Sequence, residues 1–587
     1  MPRPTSNSRR SLIKRALALL AGSAWPTPRF AQAASLHARV RPGDAAWPTA
    51  AQWRGLERAV EGRLAVPSAT LDPGANPLNP YFLSDNPGLT QNAGWFEAWR
   101  SSPSAYVVAA EKAADVVAAV HFARRHRLRL VVRGGGHSYQ GTSCAPDSLL
   151  VWMRPMQDVR LHDAFVATGC ADAPVPAVSV GAGALWMHVY DAVTTRGGRY
   201  VQDGGCATVG VAGLVQSGGF GSHSKHYGTA AGSLLEAEIV TADGRLRIVN
   251  RRRDPELFWA LKGGGGGNYG VVTRLTLRTH ELPTFFGVAM LRVAAQSDVA
   301  YRRLVARFVA FYRERLFNAH WGEQVAFDQH NVLTVSMVSH GLTRDELQSL
   351  WSPFLDAVRA EPDAYRLGEP LIAALPARDW WNAKFLKTLP GIVRVDDRPG
   401  APEGNVFWEG NRDEPGQFLH AYRSAWLGAP ALNADDGATL VDALFAASRH
   451  WRISLHFNKG LAGSPDEALA LARETATNPG ALDAFALAIC AAEATDAYRQ
   501  APDLEVAAFE RDRVYRAMDA LLARVPSQGT YVSESDYFDP DWQRTCWGTN
   551  HARLAAAKRR YDPHGLFFVR HGVGSESWSD DGFTRRT

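Results

Sequence analysis

Apolar and polar positions change period several times along the first half of the chain. Residues 36–98 are irregular and rich in Pro, Gly and Asn, and runs such as Asn76-Pro77-Leu78-Asn79-Pro80 predict a wrapping arm without regular elements. From residue 106 the order becomes strand (106–109), amphipathic helix (113–125) and strand (128–132), which runs into Arg133-Gly134-Gly135-Gly136-His137. A second unit repeats it, with strand 178–181, helix 185–195 and strand 200–202 leading into residues 203–228, DGGCATVGVAGLVQSGGFGSHSKHYG. Both apolar strands therefore end in glycine loops, the junction where α/β folds bind phosphates and cofactors. Residues 234–241 and 245–249 flank Asp243-Gly244 and predict a hairpin. Gly265, Gly267 and Gly270 match G-x-G-x-x-G, but a helix precedes them and a strand follows, the reverse of the nicotinamide context, so that site is rejected.

The texture changes near residue 282. Longer helices (301–315, and one opened by the capping box Thr343–Glu346) mix with strands 332–338 and 453–457, and glycine loops largely vanish. The predicted organisation is a signal segment at 1–33, an arm at 34–100, a first domain at 101–281 and an inserted second domain at 282–535. Residues 536–587 return to the first domain, with a helix at 550–560 closed by Tyr561-Asp562-Pro563. Residues 391–415, rich in Pro, Gly and Asp, read as a surface loop.

Charge and composition narrow the classes. The formal charge of +5 comes from the first 33 residues, which hold six Lys and Arg and no acid; without them the chain stands at −1 and has no electrostatic footprint for nucleic acid. Within that segment Ser8-Arg9-Arg10-Ser11-Leu12-Ile13-Lys14, a short apolar run and Ala31-Gln32-Ala33 resemble a twin-arginine signal, which predicts export of the folded protein to the periplasm or beyond. The apolar run is too short to span a bilayer. Five cysteines are few for a disulfide-stapled protein and none has zinc-ligand spacing; the odd count leaves one unpaired, for which Cys206 is the candidate. His223 and His226 lack a carboxylate companion, so no metal is predicted.

The second glycine segment holds eight glycines, one cysteine and almost no charge, a backbone able to press against a flat, phosphorylated group. His137 and Cys206 are two nucleophiles on loops that face one bound object. On these residues the chain resembles the berberine-bridge-enzyme-like flavin oxidases of the vanillyl-alcohol oxidase superfamily. The resemblance covers roughly residues 101–280 and 542–573. Arg133-Gly134-Gly135-Gly136-His137 is similar to the family's R-G-G-G-H, and Gly204-Gly205-Cys206-Ala207-Thr208-Val209-Gly210 to its G-x-C-x-x-V-G. Gly218-Gly219-Phe220-Gly221, residues 257–261, Tyr269-Gly270-Val271-Val272 and Tyr561-Asp562-Pro563 follow in the family's order.

The resemblance implies an α+β protein: a two-subdomain FAD-binding domain of the PCMH type with an inserted substrate domain on an antiparallel sheet. It implies FAD bound bicovalently, through His137 to the 8α-methyl and Cys206 to carbon 6. The expected cofactor contacts are Arg133, Gly134, Gly135, Gly136, His137, Ser138 and Gly141, then Gly205, Cys206, Val209, Gly210, Gly213, Gly218, Gly219, Gly221 and Tyr227, and finally Val271, Val272 and Asn550. The implied reaction is hydride transfer from a small alcohol, sugar or phenolic substrate to the flavin, which dioxygen reoxidises with release of hydrogen peroxide. A dehydrogenase passing electrons to a quinone or cytochrome, or a non-catalytic binding protein of the same fold, are the alternatives. Where many relatives carry a tyrosine before the glycine of a C-terminal Y-x-G-x-N motif, this chain has Cys546-Trp547-Gly548-Thr549-Asn550. The candidates for the base are therefore Tyr139, Glu534 and Asp536. Trp380, Trp381, Phe407 and Trp408 are candidates for stacking on a substrate, and Lys459, at the end of a predicted strand, is a candidate to face the site.

Overall fold

The structure is a computed structural model that describes residues 38–586. The predicted signal segment lies outside the described residues. Three larger sheets organise the rest. The first has four strands in the order Leu64–Ala65, Tyr106–Ala109, Ser148–Trp152, Arg129–Arg133. Its last three are parallel, and helix Ala113–His126 makes the crossover between the two that lie apart. The second is an antiparallel sheet of six, in which Val271–Glu281 pairs with Leu234–Val240, Val175–Gly181 and Arg199–Val201. The hairpin at Asp243-Gly244 joins Leu234–Val240 to Leu246–Val249, with Gly244 at φ +79°.

The third sheet has ten strands and is the floor of the inserted region. Its centre pairs Gln417–Gly428 with Ala484–Ala494, and Trp321–Phe327 with Val332–His340, all antiparallel. The Ala484–Ala494 strand, AFALAICAAEA, shows no alternation because seven consecutive residues from Ala484 are buried. Helices Asp298–Phe311, Ala438–Ser448 and Leu504–Leu522 bury Leu304, Phe308, Leu444, Val514 and Leu521 in its core.

The arm departs from the irregular reading. Thr49 and Gln52 form a capping box that starts helix Ala50–Ala59. Asn79 accepts from the amides of Tyr81 (3.0 Å) and Phe82 (3.3 Å), and Pro80 opens helix Pro80–Ser84 at the one position where a missing N–H is harmless. Leu64–Ala65 extends the first sheet, and Asn92–Trp95 pairs in parallel with the Gln417–Gly428 strand of the third. The arm thus belongs to both halves of the molecule.

The C-terminal residues pack on the first two sheets. Phe567 bridges to Leu130, Tyr561 donates to Asp254 (2.9 Å), and Arg553 pairs with Glu256 (2.8 Å). The buried Lys558 ammonium ties this return together, donating to Asp562 (2.7 Å) and to the carbonyls of Asn268 (2.6 Å) and Phe567 (2.8 Å). Among the described helices none is long and apolar enough to cross a membrane.

Candidate flavin site

The two glycine loops meet back to back. A Cβ built on Gly135 would stand 2.7 Å from the Gly210 amide nitrogen, and one on Gly210 at 2.7 Å from that of Gly135, so neither position admits a side chain. Beside this junction lies a small cleft lined by Pro80, Gln91, Asn92, His137, Tyr139, Thr208, Phe407, Asn411, Glu414, Pro415 and Gln417. Its walls come from the arm, from both glycine loops and from the inserted region.

Thr208 stands between the two nucleophiles. Its Oγ1 is 3.3 Å from His137 Nε2 and 3.7 Å from Cys206 Sγ. The backbone on either side is clamped, because Met187 N donates to Ala207 O (2.8 Å) and Trp186 N to Val209 O (3.1 Å). Burial holds the His137 imidazole down to about 4, so the ring is neutral at ordinary pH, and pushes the Cys206 thiol up to about 12, against the opposing pull of hydrogen bonds from Thr208. All five cysteines are free of disulfides.

The structure separates the sequence-predicted residues into those at the cleft and those that build it. His137 and Tyr139 line it. Gly134 and Gly136 complete the first loop, and the Ser138 hydroxyl accepts from the Thr142 amide (3.2 Å) to close its turn at Gly141, φ +68°. Gly205 is exposed, and its carbonyl accepts from Trp408 Nε1 (3.2 Å); Gly213 is exposed on helix Val211–Gln216. Arg133 instead turns into the arm, donating to Leu89 O (2.6 Å) and Asn86 O (3.2 Å). Gly218 and Gly219 accept from the amides of Ala231 (2.8 Å) and Ala230 (2.9 Å), and Gly221 lies against Asp203, where a Cβ would meet Oδ1 at 2.0 Å. Val271 and Val272 are buried in the second sheet, and Asn550 donates to Thr477 O (2.9 Å). Tyr227 joins a histidine cluster, its hydroxyl 2.9 Å from His340 Nε2, while His340 stacks on His226 at 3.9 Å.

Of the proposed bases, Tyr139 stacks obliquely on Tyr422 (5.0 Å), and burial raises its phenol well above the usual range. Glu534 is held through Oε1 by Lys459 Nζ (2.5 Å), whereas its buried Oε2 has no partner among the described residues. Asp536 is engaged elsewhere, accepting from Tyr515 OH (2.6 Å). Cys546 is buried in the core that includes Trp542 and Trp547, on helix Trp542–Trp547, and does not line the cleft.

Of the cleft residues, sequence reasoning singled out His137, Tyr139 and Phe407 and missed the other eight, including Thr208. Gln91 and Asn92 belong to the arm: Asn92 Nδ2 donates to His137 O (3.2 Å), and Gln91, 2% exposed, leaves Oε1 without a partner beside the cleft. Glu414 and Asn411 belong to the predicted surface loop, which instead forms the hairpin Val393–Val395/Val406–Trp408 and then turns into the site. Asn411 donates to Glu414 Oε1, and burial raises the Glu414 carboxyl to about 7. Glu323 lies below, at φ +65° inside a strand, accepting from Ser222 Oγ (2.5 Å) close to Gly205. The clearest signal in sequence was Asn411-Arg-Asp-Glu414-Pro415, polar residues before a long apolar strand.

A glycine cradle, a neutral histidine and a half-buried thiol beside a cleft lined by the arm, the glycine loops and residues 407–417 suit a flavoprotein, and the orphaned Gln91 amide oxygen leaves an acceptor for an FAD there. Residues 103–250 match the FAD binding domain family, and residues 530–574 the family described as berberine and berberine like. The VAO-type flavoprotein oxidase VAO615 from Thermothelomyces thermophilus is 29% identical over 585 residues, covering 92% of this chain and 94% of that protein. The solved structure of MtVAO615 from Myceliophthora thermophila superposes with a TM-score of 0.74 at 25% identity, over 92% of this chain and 98% of that one. The glucooligosaccharide oxidase from Acremonium strictum, with its 6-S-cysteinyl, 8α-N1-histidyl FAD, shares the fold: TM-score 0.64 at 18% identity, over 89% of this chain and 99% of that one. These matches make the chain similar to the berberine-bridge-enzyme-like group of VAO-type flavoproteins and support its being an FAD-linked oxidoreductase.

Proposed function

We propose that this protein is an exported oxidase that holds FAD covalently through His137 and Cys206 and oxidises a small alcohol, sugar or phenolic substrate. When bound, the FAD supplies the hydride acceptor, and dioxygen returns it to the oxidised state with release of hydrogen peroxide. The observation that carries the reading is the placement of both nucleophiles within hydrogen-bonding distance of one hydroxyl, Thr208, beside a cleft shared by the two domains.

The chain's own residues then divide the work. The glycine loops offer backbone amides to the pyrophosphate without side-chain clash, and Asn92 fixes the carbonyl of His137. Phe407 and Tyr139 give the cleft flat walls, which exclude water and orient a ring or planar substrate. Glu534 is the candidate to take the proton from the substrate hydroxyl: Lys459 anchors one oxygen, and the other is unpartnered but buried outside the cleft lining, so this role needs the substrate or a side chain of the cleft to reach it. The twin-arginine segment supports export after folding, which suits a cofactor inserted in the cytoplasm.

The test is anaerobic mixing of the purified protein with alcohols, sugars and phenols while the flavin absorbance is followed, then admission of air with a peroxide assay. Bleaching followed by peroxide and recovered colour is expected. Bleaching that only a quinone or cytochrome reverses makes the protein a dehydrogenase, and no bleaching by any of these substrates contradicts the reading.

A further inference from the structure

Thr208 is 2% exposed, and its hydroxyl has neighbours on two sides that both need preparation before they can bond to a flavin. A neutral imidazole attacks only through the nitrogen that lacks a proton, and a thiol only once it has lost one. A hydroxyl has one proton to give and lone pairs to accept with, so of its two arrangements between these neighbours only one prepares both as nucleophiles. We infer that Thr208 is the positioning residue for covalent flavin attachment: its Oγ1 accepts the Nε2–H of His137, leaving the Nδ1 lone pair free, and its O–H donates to Cys206 Sγ, favouring the thiolate. In the reverse arrangement, with Thr208 donating to Nε2, the proton sits on Nδ1 and that nitrogen cannot attack.

The geometry supports the assignment beyond the two distances. The clamps on Ala207 and Val209 fix the Thr208 backbone, and Asn92 fixes that of His137, so the hydroxyl and both nucleophiles are held before any ligand arrives. Burial keeps His137 neutral, and the hydrogen bonds of Thr208 pull against the burial that keeps Cys206 protonated. Glu414 lines the same cleft, and its negative charge adds to burial in holding the Cys206 thiol up. As the carboxylate lining that cleft, it is the proton acceptor this inference assigns to both bonds.

The bookkeeping of atoms is complete with dioxygen as oxidant. In the histidyl bond Nδ1 adds to the 8α carbon, a C–H bond of that methyl breaks with its proton passing to Glu414, a C–N bond forms, the alkylated imidazole gives up its Nε2 proton to solvent, and the electron pair remains on the flavin. In the cysteinyl bond Sγ adds to carbon 6, the thiol proton passes to Glu414 and the carbon-6 proton to solvent, a C–S bond forms, and again two electrons remain on the flavin. Each time dioxygen removes the pair as hydrogen peroxide.

The inference rests on the covalent reading above, and its test separates the two. Full-length apoprotein from a riboflavin-starved host is mixed with FAD in air, quenched in acid at intervals and weighed intact, so that the readout is the mass of one FAD retained by the denatured chain. Reversible FAD binding is read separately from the quenching of free FAD fluorescence. Wild type and Thr208→Ser are expected to attach at similar rates; Thr208→Val, isosteric but without the hydroxyl, binds FAD reversibly yet attaches roughly 10²-fold more slowly. Glu414→Gln, as a second variant outside the loop, is expected to slow attachment as well. Attachment by Thr208→Val at the wild-type rate overturns the inference alone. A wild type that retains no flavin mass overturns it together with the covalent reading.

Discussion

The two walls of the cleft are built on different principles. On one side the 133–141 and 204–213 loops are held by backbone: glycines touch where no Cβ fits, and amide-to-carbonyl clamps fix Ala207 and Val209. On the other side the wall is side chains from the inserted region: Phe407, Asn411 and Glu414 at the cleft, with Lys459 and Glu534 paired below. A backbone-built wall accepts one group and tolerates little change, whereas a side-chain wall can be altered residue by residue. On the proposed reading the first wall carries the two attachment residues, with Glu414 of the second wall taking their protons, and the second wall carries most of the substrate chemistry.

The largest effect expected from altering the second wall alone is that of Glu534→Gln. It should lower the rate of flavin reduction by roughly 10²- to 10⁴-fold at unchanged flavin content, measured by stopped flow against absorbance of the denatured protein. Loss of flavin content instead would break the division between the walls. Next is Asp562→Ala behind the first wall, which strands the buried Lys558 ammonium. It should cost about 3–5 kcal/mol in urea denaturation.

A third effect is a pH dependence in the histidine cluster around Tyr227, away from the cleft lining. Burial holds His340 down to about 3 and His280 to about 4, so between those values and the ordinary histidine range the unfolded chain binds protons that the folded chain does not. Stability is therefore expected to fall as pH drops from about 6.5 towards 4. His280→Gln should flatten that slope in urea midpoints taken across the range. Buried Lys225, lowered to about 7 and donating only to the carbonyls of Gly460 and Ala462, works the same way at higher pH. It makes stability rise between pH 7 and about 10. The smallest effect is that of Cys546→Ala: a stability change on the order of 1 kcal/mol, with flavin content and reduction rate unchanged.

Legibility in the sequence followed the same division. The first wall could be read because glycine has few reasons to cluster after an apolar strand other than a close backbone approach, and because His137 and Cys206 sit inside the two specific motifs, R-G-G-G-H and G-x-C-x-x-V-G. The helix at Ala113–His126, the Asp243-Gly244 hairpin and the Thr343–Glu346 capping box were legible through local periodicity and caps. The second wall was not. Its central strand Ala484–Ala494 is alanine-rich and enclosed on both faces, so it carries neither strand propensity nor alternation. Glu414 reaches the cleft through a hairpin whose register depends on Val393–Val395 meeting Val406–Trp408, contacts that no local pattern announces. The arm misled for a different reason: prolines that interrupt a helix also start one, as Pro80 does behind Asn79. Arg133 shows the limit of motif reading, since a residue inside the glycine motif serves the arm's carbonyls.

The most direct test of the account is the mass and colour of the acid-denatured chain in wild type, His137→Ala, Cys206→Ala and the double variant. The account predicts one FAD retained by the wild type and by each single variant, through the remaining anchor, and none by the double. A denatured wild type with the mass of the bare polypeptide would contradict it.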